Sequence, residues 1–103
     1  QTWYYFAYFY DAYRQGLDEE ALAAAQKVNM PGFFWAHQIL AAAYAQLGMA
    51  EEATAAISAL LELYPGYTME DMIGMHRAWN HDDDLIERIA DGLRKAGLPE
   101  VAD

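Results

Sequence analysis

The side chains best able to do chemistry lie in one short run, His81-Asp82-Asp83-Asp84. One imidazole and three carboxylates could ligate a hard or borderline cation. The same run precedes a predicted helix, where a capping carboxylate and acidic side chains in the first turn are favoured by the helix dipole. His76 stands five positions before His81, whereas two ligands on one helix face are three or four positions apart. We interpret the run as the start of a helix and predict no metal site.

Groups for nucleophilic or acid–base catalysis are scarce. The chain has no cysteine, and its one serine, Ser58, falls inside a predicted helix. Glu51 and Glu52 begin that helix, where solvated carboxylates are expected. Neither a glycine-rich phosphate loop after a strand nor a paired-histidine zinc motif occurs. The sequence therefore predicts a protein that is not an enzyme and carries no cofactor.

A histidine and a methionine series each have a structural and a functional interpretation. His37 could be a ligand or a base, but a half-buried histidine that donates to a backbone carbonyl is the expected role. Met69, Met72 and Met75 recur every three residues. Such a stripe can mark an adaptable binding surface, but it more often fills gaps in a core.

Composition limits the class of protein. The chain has 103 residues, 55% of them hydrophobic, which suits one folded domain. Its net charge of −10 makes nucleic acid an unfavourable partner. The absence of cysteine suits a cytoplasmic protein, and no apolar run is long enough to span a membrane. The aromatic opening from Trp3 to Phe6 leads us to expect the C-terminal part of a longer protein.

Glycine, proline and asparagine divide the chain into six predicted helices, which form three antiparallel pairs. Asp18, Thr68 and either Asp82 or Asp83 are the expected caps of the second, fifth and sixth helices. The last helix should turn a polar face outward, formed by Glu87, Arg88, Asp91 and Lys95. The approximate predicted ranges are 2–15, 18–29, 33–47, 51–64, 69–79 and 83–96.

Residues 34–67 carry small and large side chains at the offsets of a helix-turn-helix repeat of about 34 residues. In this segment the chain resembles the tetratricopeptide repeat family. The resemblance implies an all-α, right-handed α-α superhelix, with a short repeat at 1–32, a clear repeat at 33–67 and a degenerate capping helix pair at 68–103. Leu60 replaces the alanine that is usual before the closing turn. The matching residues are Leu40, Ala41, Tyr44, Gly48, Ala53, Ile57 and Pro65.

The chain as a whole is similar to the repeat-containing C-terminal regions of bacterial adenylate or guanylate cyclases and related multidomain regulators. Three segments carry this resemblance: Asn29–His37, Ala41–Gly48 and Asp91–Leu98. The resemblance implies a helical module attached to a signalling or DNA-binding domain. It does not imply cyclase activity, because no cyclase residue lies in these segments.

In such superhelices the first helix of each pair lines the concave surface. The resemblance therefore implies a partner-binding surface for a protein or peptide. In the chaperone-binding members, cations on this face hold a C-terminal carboxylate, whereas Gln38, Ala42 and Gln46 occupy those positions here, so a chaperone tail is not expected. The predicted surface consists of Trp3, Phe6, Tyr10, Tyr13, Arg14, Trp35, Gln38, Ala42 and Gln46.

Two functions remain open at this point. One is a non-catalytic interaction scaffold that binds a protein or peptide. The other is a structural element that packs against its own upstream domain or against a second copy of itself. Under the second interpretation, the aromatic side chains of the first helix belong to a contact that lies outside this chain.

Overall fold

Six helices make up the regular structure of the part of the chain that the computed structural model describes, residues 2–101. They are α1 (Thr2–Arg14), α2 (Asp18–Val28), α3 (Phe34–Gln46), α4 (Ala50–Leu63), α5 (Met69–Ala78) and α6 (Asp83–Ala96). Residues 2–101 contain no strand, so the all-α prediction is confirmed for them. The predicted segments 1–32 and 68–103 also include Gln1, Ala102 and Asp103, which lie outside the described residues. No helix in the described range is both long and apolar enough to cross a membrane.

The helix ends follow local signals in the sequence. The Thr68 hydroxyl accepts from the Asp71 N–H, and the Asp71 carboxylate accepts from the Thr68 N–H, which makes a complete capping box at α5. Asp82 caps α6 by accepting from the Leu85 N–H at 2.9 Å. The predicted cap at Asp18 is wrong, because α2 begins with Asp18 itself and Leu17 stands at the cap position without a side-chain hydrogen bond.

Close packing of α1 on α2 and of α3 on α4 builds most of the core. Ala41, Ala42 and Ala43 are all buried in α3, where small side chains let neighbouring helix axes approach closely. Met69 and Met72 of α5 are also fully buried, which confirms that the methionine series is part of the core. After α6 the chain returns to the start of α5, where the Met69 N–H donates to the Pro99 carbonyl at 2.8 Å.

The last helix, α6, packs across α3 and also contacts α1 and α4. Gly92 makes this crossing possible, because a Cβ at this position would lie 2.6 Å from the Tyr13 hydroxyl and 3.1 Å from the Ala42 carbonyl oxygen. The Tyr13 hydroxyl in turn donates to the Arg88 carbonyl at 2.7 Å. The end of the fold is thereby joined directly to its beginning.

The prediction that Arg88 lies on the outward polar face of α6 is wrong. Its guanidinium is half-buried, donates to the Tyr13 carbonyl at 2.7 Å and lies 3.0 Å from an Asp18 carboxylate oxygen. The planar guanidinium also stacks over the Tyr13 ring, 4.4 Å from its centroid. Periodicity placed this arginine on the polar side of α6, but it could not show that α1 and α2 cover part of that side. Glu87, Asp91 and Lys95 are exposed as predicted.

Candidate functional site

One cavity at the surface is formed almost wholly by aromatic rings, and we refer to it as the aromatic cavity. It has a volume of about 190 Å³ and draws its walls from α1, from the start of α3 and from the turn between α5 and α6. All three tryptophans of the chain line it. The lining residues are Trp3, Phe6, Tyr10, Phe33, Trp35, Trp79 and His81.

The first wall consists of Trp3, Phe6 and Phe33. Trp3 stacks on Phe6 with ring centroids 5.4 Å apart, one helical turn along α1. Phe33 stands edge-on to both rings, at interplanar angles of 76° to Trp3 and 68° to Phe6. Aromatic pairs prefer such offset and edge-to-face arrangements. The wall is therefore a corner of nearly perpendicular rings, part of which is buried.

The second wall consists of Tyr10, Trp35 and His81. The Trp35 indole N–H donates to the Tyr10 hydroxyl at 2.5 Å, which fixes both rings. The Tyr10 ring lies 4.9 Å from the His81 ring, centroid to centroid. Burial raises the pKa of Tyr10, so its hydroxyl remains protonated. Trp79 also lines the cavity and is 73% exposed, and Trp3 is 68% exposed.

A chain of hydrogen bonds supports the second wall from the core. The Tyr67 hydroxyl donates to Gln38 Oε1 at 2.5 Å, and Gln38 Nε2 donates to His76 Nε2 at 3.0 Å. Because His76 Nε2 accepts, its proton is on Nδ1, which donates to His81 Nδ1 at 2.6 Å. His81 then carries its own proton on Nε2. This relay fixes the tautomers and orientations of both imidazoles.

Burial keeps the relay uncharged. It lowers the pKa of His76 to about 3, with the nearby His81 as a smaller cause. The pKa of His81 is also lowered, first by burial and then by the charge of Arg14. Both imidazoles are therefore neutral near pH 7. His76 is fully buried, so it can hold its neighbours in place but cannot reach a substrate.

The structure divides the predicted partner-binding residues into two groups. Trp3, Phe6, Tyr10 and Trp35 come together in the aromatic cavity. Each of the other five contacts a residue of α5 or α6, or Asp82, which caps α6. Tyr13 and Ala42 are buried next to Gly92 of α6. Gln46 donates to Asp91 at 3.2 Å, and Arg14 pairs with Asp82 at 3.2 Å. Gln38 belongs to the chain of hydrogen bonds through His76. A role in partner binding stays a prediction for all nine.

Sequence reasoning did not include Phe33, Trp79 or His81 in the site. The spacing argument about His76 and His81 was valid only for a continuous helix. Asn80 adopts a left-handed conformation with φ +62°, and the His81 N–H donates to the His76 carbonyl at 3.1 Å, so the chain turns back and brings the two rings together. The asparagine after Trp79 was the available signal for this turn.

The other candidate residues have structural roles. His37 is half-buried, and its Nε2 donates to the Pro31 carbonyl at 2.8 Å, as predicted. Asp83 and Asp84 are exposed in the first turn of α6. Across residues 2–101, no group of three or more histidine, cysteine, aspartate or glutamate side chains is arranged to hold a metal ion.

Comparison with known proteins adds no relative to this description. No protein-family model matches the sequence, and no curated protein or solved structure is significantly similar to the chain. The geometry of the aromatic cavity is therefore the best indication of function.

Proposed function

We propose that this chain is a non-catalytic protein–protein interaction module that binds a partner protein through the aromatic cavity. The observation that carries the proposal is a surface cavity of about 190 Å³ with aromatic walls on both sides. A cavity of about 150 Å³ with apolar walls can hold a benzene ring, so the volume here suits one bulky side chain. The proposed binding event is the insertion of such a side chain from the partner.

Exposure and rigidity of the rings support this role. Trp3 and Trp79 are mostly exposed, although both carry large apolar surfaces that are usually covered. Trp35 and Tyr10 are held by their mutual hydrogen bond, so little side-chain entropy remains to be lost on binding. Fixed aromatic side chains in pockets are the residues that contribute most to binding energy at protein interfaces.

The scaffold that we propose for this cavity is a tetratricopeptide-type arrangement of the first two helix pairs, with a degenerate third pair whose α6 folds back across α3 and onto α1. The consensus positions from Leu40 to Pro65 support it, as does the close packing of α1 with α2 and of α3 with α4. In this proposal the module belongs to a bacterial signalling or regulatory protein in the cytoplasm. Its partner contacts the aromatic cavity, while α6 covers much of the surface formed by α3.

Selection of peptides from a random display library tests the proposal. We expect the selected peptides to share a bulky side chain, and their affinity to fall at least about tenfold in Trp79→Ala, because truncation of an aromatic hot-spot residue costs about 2 kcal/mol or more. Leu63→Ala is the matched control, since Leu63 is also an exposed apolar side chain but lies at the end of α4 and does not line the cavity. Equal losses in the two variants, or no loss in either, would refute the proposed site.

A second candidate function is assembly through the outer face of α1. Tyr4 and Tyr8 are four positions apart, and both are exposed next to the exposed Trp3. Such a stripe suits packing against an upstream domain or a second copy of the chain. Light scattering over a range of concentrations distinguishes the functions. Packing against a second copy predicts a mass that rises with concentration and that falls back in Tyr4→Ser/Tyr8→Ser, whereas the interaction module predicts a constant mass.

A further inference from the structure

The rings that line the aromatic cavity are not all parallel to one another. Phe33 stands nearly perpendicular to the stacked pair of Trp3 and Phe6, and Trp79 also lines the cavity. A flat apolar ring stacks best on parallel surfaces, whereas a rounded group contacts several ring faces at once. The face of each ring carries negative potential, and tryptophan attracts a cation most strongly among aromatic side chains.

The polar atoms on the walls restrict which cation fits. Trp3 and Trp79 can only donate from their indole N–H groups, and His81 Nε2 also carries a proton because its Nδ1 accepts from His76. The Tyr10 hydroxyl already accepts from Trp35. None of the lining side chains is a carboxylate. A primary ammonium would therefore lose hydrogen bonds to water without equivalent acceptors, whereas a quaternary ammonium has no N–H group to satisfy.

The charge distribution favours a cation at this cavity. The protein carries 16 acidic and 6 basic residues, so its field attracts positive groups. Within the described residues, cation–aromatic contacts are formed by Lys27 over Tyr5 and by Arg88 over Tyr13, and neither of these rings lines the cavity. Arg14, which approaches His81, is paired with Asp82. The rings of the cavity are therefore free to receive a cation from another molecule.

We propose that the aromatic cavity binds a quaternary ammonium group, presented as the trimethylated side chain of a lysine on the partner protein. This inference rests on the proposed function and specifies the chemistry of the inserted side chain. The aliphatic stem of the lysine would leave between the exposed edges of Trp3 and Trp79, while the trimethylammonium group contacts the ring faces. Attraction to the rings and to the net negative charge then acts on the same group.

Three capped amino acids provide the test. They are N-acetyl trimethyllysine methylamide, its neutral analogue with carbon in place of the quaternary nitrogen, and N-acetyl lysine methylamide. Tryptophan fluorescence reports binding directly, because every tryptophan of the chain lines the cavity. We expect trimethyllysine to bind about tenfold more tightly than either the neutral analogue or lysine, since cation–π attraction of about 1.4 kcal/mol corresponds to a factor of ten.

A matched pair of variants separates the cavity from general attraction to an acidic protein. Trp79→Leu keeps an apolar contact but removes the aromatic ring. The preference for trimethyllysine over its neutral analogue should therefore fall to about threefold or less in this variant. Leu63→Ala should keep the full preference. If the preference persists unchanged in Trp79→Leu, it comes from the net charge of the protein, and the proposal is overturned.

The failure of this inference differs from the failure of the proposed function. Equal or tighter binding of the neutral analogue, or no binding of trimethyllysine, overturns the quaternary ammonium site. If peptides from the display library still lose affinity in Trp79→Ala under those conditions, the interaction module stands with an apolar anchor. If capped trimethyllysine shows its preference but a peptide that carries trimethyllysine does not bind, the quaternary ammonium site stands and the proposed function fails.

Discussion

Mild acidification should destabilise this protein through one buried imidazole. His76 is fully buried, accepts from Gln38 and donates to His81, and burial lowers its pKa to about 3. The unfolded chain binds a proton at this residue near pH 6.5, whereas the folded chain does not. Since the unfolded state binds more protons, the stabilisation is fully present above about pH 6.5 and is lost as the pH falls toward about 3.

The size of the effect follows from the two pKa values. Between about pH 7 and pH 5, His76 in the unfolded chain changes from mostly neutral to mostly protonated, while in the folded chain it stays neutral. The free energy of unfolding should therefore fall by about 2 kcal/mol over this interval, which is an order-of-magnitude figure from the linkage relation. The groups facing His76 are the rings of Tyr10, Trp35 and His81 and the amide of Gln38.

Urea denaturation followed by circular dichroism at a series of pH values measures this slope. His76→Gln removes the titrating group. We therefore expect the decrease in the free energy of unfolding between pH 7 and pH 5 to be smaller by about 2 kcal/mol in this variant, whatever stability the substitution costs at pH 7. His37→Gln is the matched comparison, because it removes a half-buried histidine that donates to the Pro31 carbonyl and lies outside the chain of hydrogen bonds around His76. The reduction that is specific to His76 is the difference between the two variants.

The contribution of His81 can be separated in the same way. Its pKa is lowered by burial and by Arg14, so it adds to the slope in the same direction, and His81→Gln should reduce the slope as well. A pH dependence in His76→Gln equal to that of the unchanged protein would refute the assignment of a buried, neutral His76. It would also remove the basis for the tautomers of the relay.

Two further predictions concern the crossing of α6. Gly92→Ala should lower the free energy of unfolding by about 1–3 kcal/mol, because the new methyl group would overlap the neighbouring helices. Gly74 of α5 has open space around it, so Gly74→Ala should be neutral or should stabilise the protein by up to about 1 kcal/mol. Urea denaturation at pH 7 checks both, and equal effects would contradict the close crossing. Arg88→Met should cost about 3 kcal/mol, because it leaves a partly buried carboxylate unpaired. Arg94→Met breaks only an exposed pair with Glu100 and should have little effect on stability. Similar melting temperatures for the two variants would contradict this difference.

The helices could be predicted from the sequence because their signals are local. The capping box at Thr68 and the cap at Asp82 are short-range patterns, and Gly48 and Gly97 adopt the positive φ angles that glycine tolerates best. Each of these features depends on residues within a turn or two of one another.

The arrangement of the site could be predicted only in part. Trp3, Phe6, Tyr10 and Trp35 were expected on one surface because of the resemblance to a repeat family, and they do line one cavity. Trp79 and His81 join them through a left-handed turn at Asn80, which spacing along an ideal helix cannot represent. The partners of Arg88 could not be predicted either, because they depend on how α6 lies against α1 and α2.

The contact between Tyr13 and Arg88 joins residues 75 positions apart and gives this small helical protein a pairing of high contact order. In a linear array of repeats each unit touches only its neighbours, so the array can unravel one unit at a time. Here α6 contacts α1, so these contacts can form only after both helices have been synthesised. We therefore expect α1 and α6 to exchange their amide hydrogens together, in one cooperative opening, rather than fraying independently from the two ends.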